Sequence, residues 1–219
     1  MEKKSIIRIL IINLFCLYLN NGHAQELRFG LYGDPKLSWM TPVSKSIDNK
    51  NVATGINYGF YLDKFFAENY AFSTGLSIDN MGAGLRFTDT FLIEIDDTKD
   101  SIVNGSSIDY HLQYVRLPIG LKLFTDEMGY IKFYADLGLT TGFNIKATAD
   151  YDTLDKADIM KEISFLNLGY HFGIGIQYSL GGTTALNFGI LYTNGFWNVT
   201  GFKDKVTLSN VALRIGIVF

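Results

Sequence analysis

The sequence predicts an all-β fold: an eight-stranded antiparallel up-and-down transmembrane β-barrel with a polar, side-chain-filled lumen. Three observations carry that prediction. Apolar residues recur at every second position along almost the whole chain, the links between the alternating segments are short and long by turns, and mean hydropathy is slightly positive, +0.12, without a long apolar run in the body of the chain. Alternation of this kind marks strands with one apolar face. Spreading hydrophobicity over every second residue raises the average without creating a run.

Of the 219 residues 47% are apolar and 19% charged, which excludes a disordered or low-complexity chain. The length suits one domain able to bury a core without disulfide or metal staples. A single cysteine, Cys16, allows no intramolecular disulfide.

Residues 1–24 read as a cleaved secretory signal. Lys3, Lys4 and Arg8 form a basic start, Ile9 to Leu19 is apolar except for Asn13, and Gly22-His23-Ala24 ends on a small residue. A retained anchor or buried core helix is the competing reading, but a spanning helix needs about 20 apolar residues and this stretch runs into Asn20 and Asn21. Cys16 follows Phe15, where lipid attachment needs a small residue. The mature barrel domain is therefore expected at 25–219, without cysteine. Losing three basic groups and one acid takes the formal charge from −3 to −5, which disfavours nucleic acid as a partner.

The strands follow in order. Residues 26–38, 52–62 and 69–88 alternate, as do 110–124, which carry Leu117-Pro118. Residues 130–148 set Phe133, Leu137, Leu139 and Phe143 against Tyr134, Asp136, Gly138, Thr140, Gly142 and Asn144. The cleanest segment, 163–179, sets Leu166, Leu168, Tyr170, Phe172, Ile174, Ile176 and Tyr178 against Asn167, Gly169, His171, Gly173, Gly175 and Gln177. Residues 184–198 and 206–219 complete the set. In a soluble barrel the second face would carry charge toward water, whereas here it is glycine and uncharged polar groups, which suit a crowded lumen. Transmembrane barrels turn the apolar face to lipid and close so that no edge is exposed.

The links 63–68, 125–129 and 180–183 are short, whereas 39–51, 89–109 and 149–162 are longer and 199–205 is intermediate. This is the asymmetry of periplasmic turns and external loops, with both termini in the periplasm. A ten-stranded alternative needs another hairpin within 89–109, and the acids there argue against it. Trp39, Phe65, Phe66, Tyr70, Phe124, Tyr130, Tyr178, Phe196 and Trp197 cluster near strand ends as interfacial girdles would. An aromatic core in a soluble barrel is the alternative.

Several segments resemble the PorT-like outer-membrane β-barrel family of Bacteroidetes, a branch of the broad "porin family" barrels. They are FGLYGDPKLSWM (29–40), GFYLDKFFAENYAFSTGLSI (59–78), LQYVRLPIGLKL (112–123), IQYSLGGTTAL (176–186), YTNGF (192–196) and the terminal LRIGIVF. The resemblance spans essentially all of 26–219 and consists of barrel-building motifs, none of them catalytic. It implies an outer-membrane location and a role connected with type IX protein secretion or gliding. Val211, Leu213, Ile215, Ile217 and Phe219 resemble the C-terminal strand signal read by barrel-assembly machinery.

Arg28, Asp79, Arg116, Lys122, Lys132, Asp136, Lys146 and Arg214 are predicted to face the lumen. Eight strands leave an interior just wide enough for side chains, so these charges are expected to pair into a plug. A narrow ion path or solute pocket is the alternative. The mature chain has two histidines, His111 and His171, but no cysteine and no G-x-S-x-G, so no enzyme is expected; a membrane-embedded hydrolase is the third reading. The outer loops carry Asp89, Glu94, Asp96, Asp97, Asp100 and Asp109, then Asp150, Asp152, Asp155, Asp158 and Glu162. Calcium could gather among Asp150, Asp152 and Asp158, but the glycine of an EF-hand loop is missing, and a solvated loop is the plainer reading. The expectation is a monomeric outer-membrane protein without cofactor, partnered by the lipid bilayer, lipopolysaccharide, barrel-assembly machinery and secretion components.

Overall fold

A computed structural model describes residues 26–43, 46–89, 91–95, 98–102, 104–151, 154–201 and 204–219. The predicted signal, 1–24, lies outside the described residues. The strands are β1 (Leu27–Pro42), β2 (Ile47–Ala67), β3 (Tyr70–Phe87), β4 (Phe91–Ile95), β5 (Thr98–Ile102), β6 (Ser107–Phe124), β7 (Ile131–Tyr151), β8 (Leu154–Asp158), β9 (Leu166–Gly181), β10 (Thr184–Gly195) and β11 (Val206–Val218). Eight of them form a closed antiparallel ring in which β1 pairs with β2, β2 with β3, β3 with β6, β6 with β7, β7 with β9, β9 with β10, β10 with β11 and β11 with β1. Closure is secured by Phe29 and Phe219, whose N–H groups donate to each other's carbonyls at 3.1 and 2.8 Å.

The acid-rich link after β3 does hold a hairpin, β4–β5, but it forms its own two-stranded sheet and leaves the ring at eight. The acids therefore did not prevent a hairpin. The link predicted at 39–51 is mostly strand, because β1 and β2 run to Pro42 and from Ile47. At the opposite end the turns are tight, and Gly129, Gly181 and Gly182 take the positive φ angles that such turns require.

Two prolines interrupt the ladders by removing a donor. Pro118 lies where the β3–β6 register skips from Thr74↔Ile119 to Ser77↔Arg116, and its carbonyl accepts the Thr74 hydroxyl at 3.0 Å. Pro35 lies in the matching skip of β1–β11 between Gly33↔Ile215 and Lys36↔Ala212. Neither skip changes the register, so no bulge is needed at Pro118.

Over the half of the ring nearer the termini, the apolar face points outward and the small or polar face is buried. On β9, Tyr170, Phe172, Ile174 and Tyr178 are exposed, while Asn167, His171 and Gln177 are buried. Farther out the polarity reverses. On β3 the inward series Ala71, Ser73, Gly75, Ser77, Asp79 continues without a change of phase as Met81, Ala83, Leu85 and Phe87, all buried. On β6 the inward positions run from Lys122 and Arg116 to Tyr114, Leu112, Tyr110 and Ile108. Outward neighbours change in step, from Leu76, Ile119 and Leu121 to Arg86, Asp109 and His111. The barrel thus has a lipid-facing zone and, beyond it, a water-facing zone with an apolar core.

Phe65 and Phe124 are corrections to the predicted girdles. Both are buried, stacked at 5.2 Å, and join Ala71 and Tyr134 in a cluster inside the barrel. Phe66, Tyr70, Tyr130 and Tyr178 are exposed at that end, and Phe196 and Trp197 at the other.

Leu137 is outward and 40% exposed in the lipid-facing zone. Leu137→Lys is expected to cost about 2–4 kcal/mol, and Thr148→Lys in the water-facing zone less than about 1 kcal/mol. Urea titration of the barrel refolded in vesicles measures both.

Candidate functional site

Among the described residues, buried chemistry-bearing side chains converge in the interior of the lipid-facing zone. Alternation along the strands aims them inward, and closure of the ring brings residues distant in sequence within reach. Among the described residues, the buried charged side chains are four carboxylates, Asp34, Asp63, Asp79 and Asp136, and four cations, Lys36, Arg116, Lys122 and Arg214, joined by His171. With a neutral imidazole the set balances.

Each carboxylate has a cation. Lys122 Nζ donates to both oxygens of Asp63 at 3.1 and 2.8 Å, and the Ser73 hydroxyl adds a third bond at 2.6 Å. Arg214 grips Asp34 through Nε at 3.2 Å and Nη2 at 2.9 Å, a forked geometry available only to arginine. Its Nη1 lies 3.9 Å from Asp136. Asp79 pairs with both Lys36 and Arg116. Aromatic faces pack on the cations, with Lys122 Nζ 3.9 Å from the Tyr61 centroid and Arg214 Cζ 4.2 Å from that of Tyr32.

Two apolar layers enclose this network. Toward the termini lie Phe65, Phe124, Tyr134 and Ala71. Toward the outside lie Met40, Met81, Leu112, Tyr114 and the larger apolar core. The cavity between Asp34, Asp79, Arg116, Asp136 and Arg214 measures about 40 Å³, room for a few water molecules at the roughly 10–15 Å³ that each needs on this measure.

Of the eight sequence-predicted lumen residues, Asp79, Arg116, Lys122, Asp136 and Arg214 meet in this network. Arg28 and Lys132 sit at the terminal mouth. Arg28 pairs with Glu26 at 2.8 Å, and Lys132 lies 3.7 Å from Glu127. Lys146 does not face the lumen. An extra residue, Ile145, is inserted between the pairs Tyr114↔Asn144 and Gln113↔Lys146, and this bulge turns Lys146 to the exposed outer face while Ala147 takes the buried position. Sequence reading missed Asp34, Lys36 and Asp63. Their parity relative to Arg28 and Tyr61 signals an inward aim, but Pro35 and the flanking Asp63-Lys64 pair resemble a turn.

Asp136 accepts from His171 Nε2 at 3.3 Å, and His171 Nδ1 lies 2.9 Å from the Thr140 hydroxyl. Because a carboxylate only accepts, His171 Nε2 is the donor to Asp136, and in the neutral imidazole Nδ1 accepts from the Thr140 hydroxyl. Hydroxyl, imidazole and carboxylate stand in the order of a hydrolase triad, and all three are buried beside the cavity of about 40 Å³. His111 is an exposed residue of the water-facing zone, with Nε2 2.9 Å from Asp150. The Lys156 N–H at 2.7 Å, then His111, hold the Asp150 carboxyl below the ordinary carboxylate range. Asp158 accepts the Met160 N–H at 2.8 Å, so both described members of the candidate calcium trio serve the loop itself, and Asp152 lies outside the described residues.

An outward apolar band around a closed ring, with buried charge inside, defines a membrane-spanning β-barrel. Residues 23–201 match the family model described as outer membrane protein beta-barrel domain, and the chain belongs to that family. Its place is the outer membrane. Solved structures of similar fold include Neisserial surface protein A (TM-score 0.48, 11% identity, 87% of this chain and 95% of that one). Ail from Yersinia pestis (0.46, 13%, 90% and 100%) and OprG from Pseudomonas aeruginosa (0.45, 12%, 90% and 96%) are others. No curated protein matches the sequence.

Asp79 is 1% exposed between two cations. Asp79→Asn strands both and is expected to lower stability by about 3–5 kcal/mol. Adding Lys36→Met is expected to recover part of that loss, read as a shift of the urea midpoint. Equal midpoints for Asp79→Asn and the parent would show that the pairing is dispensable.

Proposed function

We propose that the protein is a non-conducting, non-enzymatic outer-membrane barrel with a structural or accessory role, acting as a monomer without a cofactor. The observation that carries this reading is the set of four carboxylates and four cations packed between two apolar layers around a cavity of about 40 Å³. A charge-neutral, filled interior offers an ion neither a sign preference nor a path. The enclosed Thr140-His171-Asp136 relay is then a packing element, fixed by its hydrogen bonds.

Assembly into the membrane is assigned to the outward row Val211, Leu213, Ile215, Ile217 and Phe219 of the last strand, offered to barrel-assembly machinery. The likeness of segments such as 59–78 and 112–123 to the PorT-like barrels gives the accessory role a direction, protein secretion across the outer membrane of the type IX kind. Deletion of the gene is expected to trap exported cargo in the periplasm, and normal release rejects the secretion assignment while leaving the barrel reading intact.

The competing function is a small passive pore or ligand-binding barrel. In planar bilayers the purified protein is expected to show no steady conductance. A steady ohmic current that disappears on changing Arg116 or Asp136 rejects the filled-barrel reading.

A further inference from the structure

The outer face of the wall, where the lipid-facing zone ends, carries a depression of about 580 Å³ crossing β2, β3, β6, β7 and β8. Two bulges shape it. One inserts an extra residue in β2 between Val52 and Ile56, and the other is Ile145 on β7. Gly55 and Gly82 leave its floor bare, and a Cβ at Gly82 would press on the Tyr110 carbonyl, so backbone packing keeps it bare. Its rim is polar and basic: Asn80, Gln113, His111, Lys146 and Lys156.

The level of this depression follows from the strands. Ile78, Val115 and Ile145 are the last apolar outward residues on β3, β6 and β7. The next outward positions are Asn80, Gln113 and Lys146, cross-strand partners in one row. The depression therefore lies at the edge of the apolar band on the side away from the termini, where outer-leaflet headgroups begin.

Among the described residues most donors there carry no side-chain partner. Among the described residues neither Lys146 nor Lys156 forms a salt bridge through its ammonium, although Asp150 is near Lys156. Gln113 Nε2 donates to Asn80 Oδ1 at 2.8 Å, which leaves the Asn80 amide nitrogen to donate elsewhere. Two of the described carboxylates nearby are occupied. Asp150 is engaged by His111 Nε2 and by the Lys156 N–H, and Asp109 by Lys50 at 2.8 Å and Asn51 at 3.1 Å. The Asp150 contact also anchors Lys156 in its left-handed conformation, φ 53°, at the edge of the depression.

We propose that this depression binds the phosphate of an outer-leaflet lipid headgroup. Lys146 and Lys156 supply the charge, Asn80 a neutral donor, and the lipid's acyl chains lie along Ile78, Val115 and Ile145. Two ammonium groups around a side-chain-free floor match a compact dianion, and the apolar band directly below matches a lipid rather than a free anion.

Isothermal titration of the full-length barrel in detergent tests the assignment, with short-chain phosphatidic acid and inorganic phosphate as separate probes. Phosphatidic acid is expected to bind, and Lys146→Gln with Lys156→Gln to weaken it at least tenfold, while Lys146→Arg with Lys156→Arg and the distant Lys205→Gln retain it. Heat-shifted gel mobility identifies folded variants. Affinity unchanged in the folded double Gln variant overturns the site, as does failure of phosphatidic acid to bind. Inorganic phosphate binding as tightly as phosphatidic acid overturns the lipid assignment in favour of a soluble anion. A double Gln variant that does not fold leaves the decision to the double Arg variant and to Lys146→Gln alone, where unweakened binding by the folded single variant overturns the role of Lys146.

Discussion

Hydrocarbon offers the backbone no hydrogen-bond partner, and the rest of this structure descends from that deficit. The β1–β11 ladder answers it by joining the first strand to the last, so each of the eight ring strands has two neighbours. Eight strands closed in this way enclose a bore about as wide as the side chains that point into it. Charged residues carried into so narrow a space leave water behind and must find each other. The pairings Asp34–Arg214, Asp63–Lys122 and Asp79 with Lys36 and Arg116 are the consequence of closure.

The same deficit ends where the lipid ends. Beyond Asp79 on β3 and Arg116 on β6 the outer face meets water, and the inward positions turn apolar: Met81, Leu85, Phe87, Tyr114, Leu112 and Ile108. No change of strand direction is needed, since the chain only exchanges which parity carries the apolar residues. On β7 the exchange is made by a bulge, which rotates the strand by one residue and delivers Lys146 outward and Ala147 inward. One ring of strands thereby combines a membrane barrel with the base of a soluble one. The upper apolar core also seals the charge network below it.

Much of the fold was legible because barrel strands obey a two-residue period and barrel links alternate in length. The eight ring strands were placed within a few residues, except where β2 extends five residues beyond 52–62 at each end. That extension escaped notice because Asp48, Lys50 and Asn51 read as a polar loop, when they are the wet face of a strand already above the lipid. The lumen was legible in half. Parity placed Asp79, Arg116, Lys122, Asp136 and Arg214 inside, but parity is counted from a starting point, and the bulge at Ile145 resets it before Lys146. Asp34 and Asp63 stayed hidden beside Pro35 and at the end of a segment, where local turn character outweighed the alternation.

By itself the sequence determined the period, the number of ring strands and the polarity of the two faces, because these depend only on which residue types alternate and how often the alternation breaks. The tertiary structure decided which charges meet, where the polarity reverses in space, and that Phe65 and Phe124 fill the bore instead of girdling it. Those outcomes depend on register across a closed ring, and register is a relation between strands that no single strand carries.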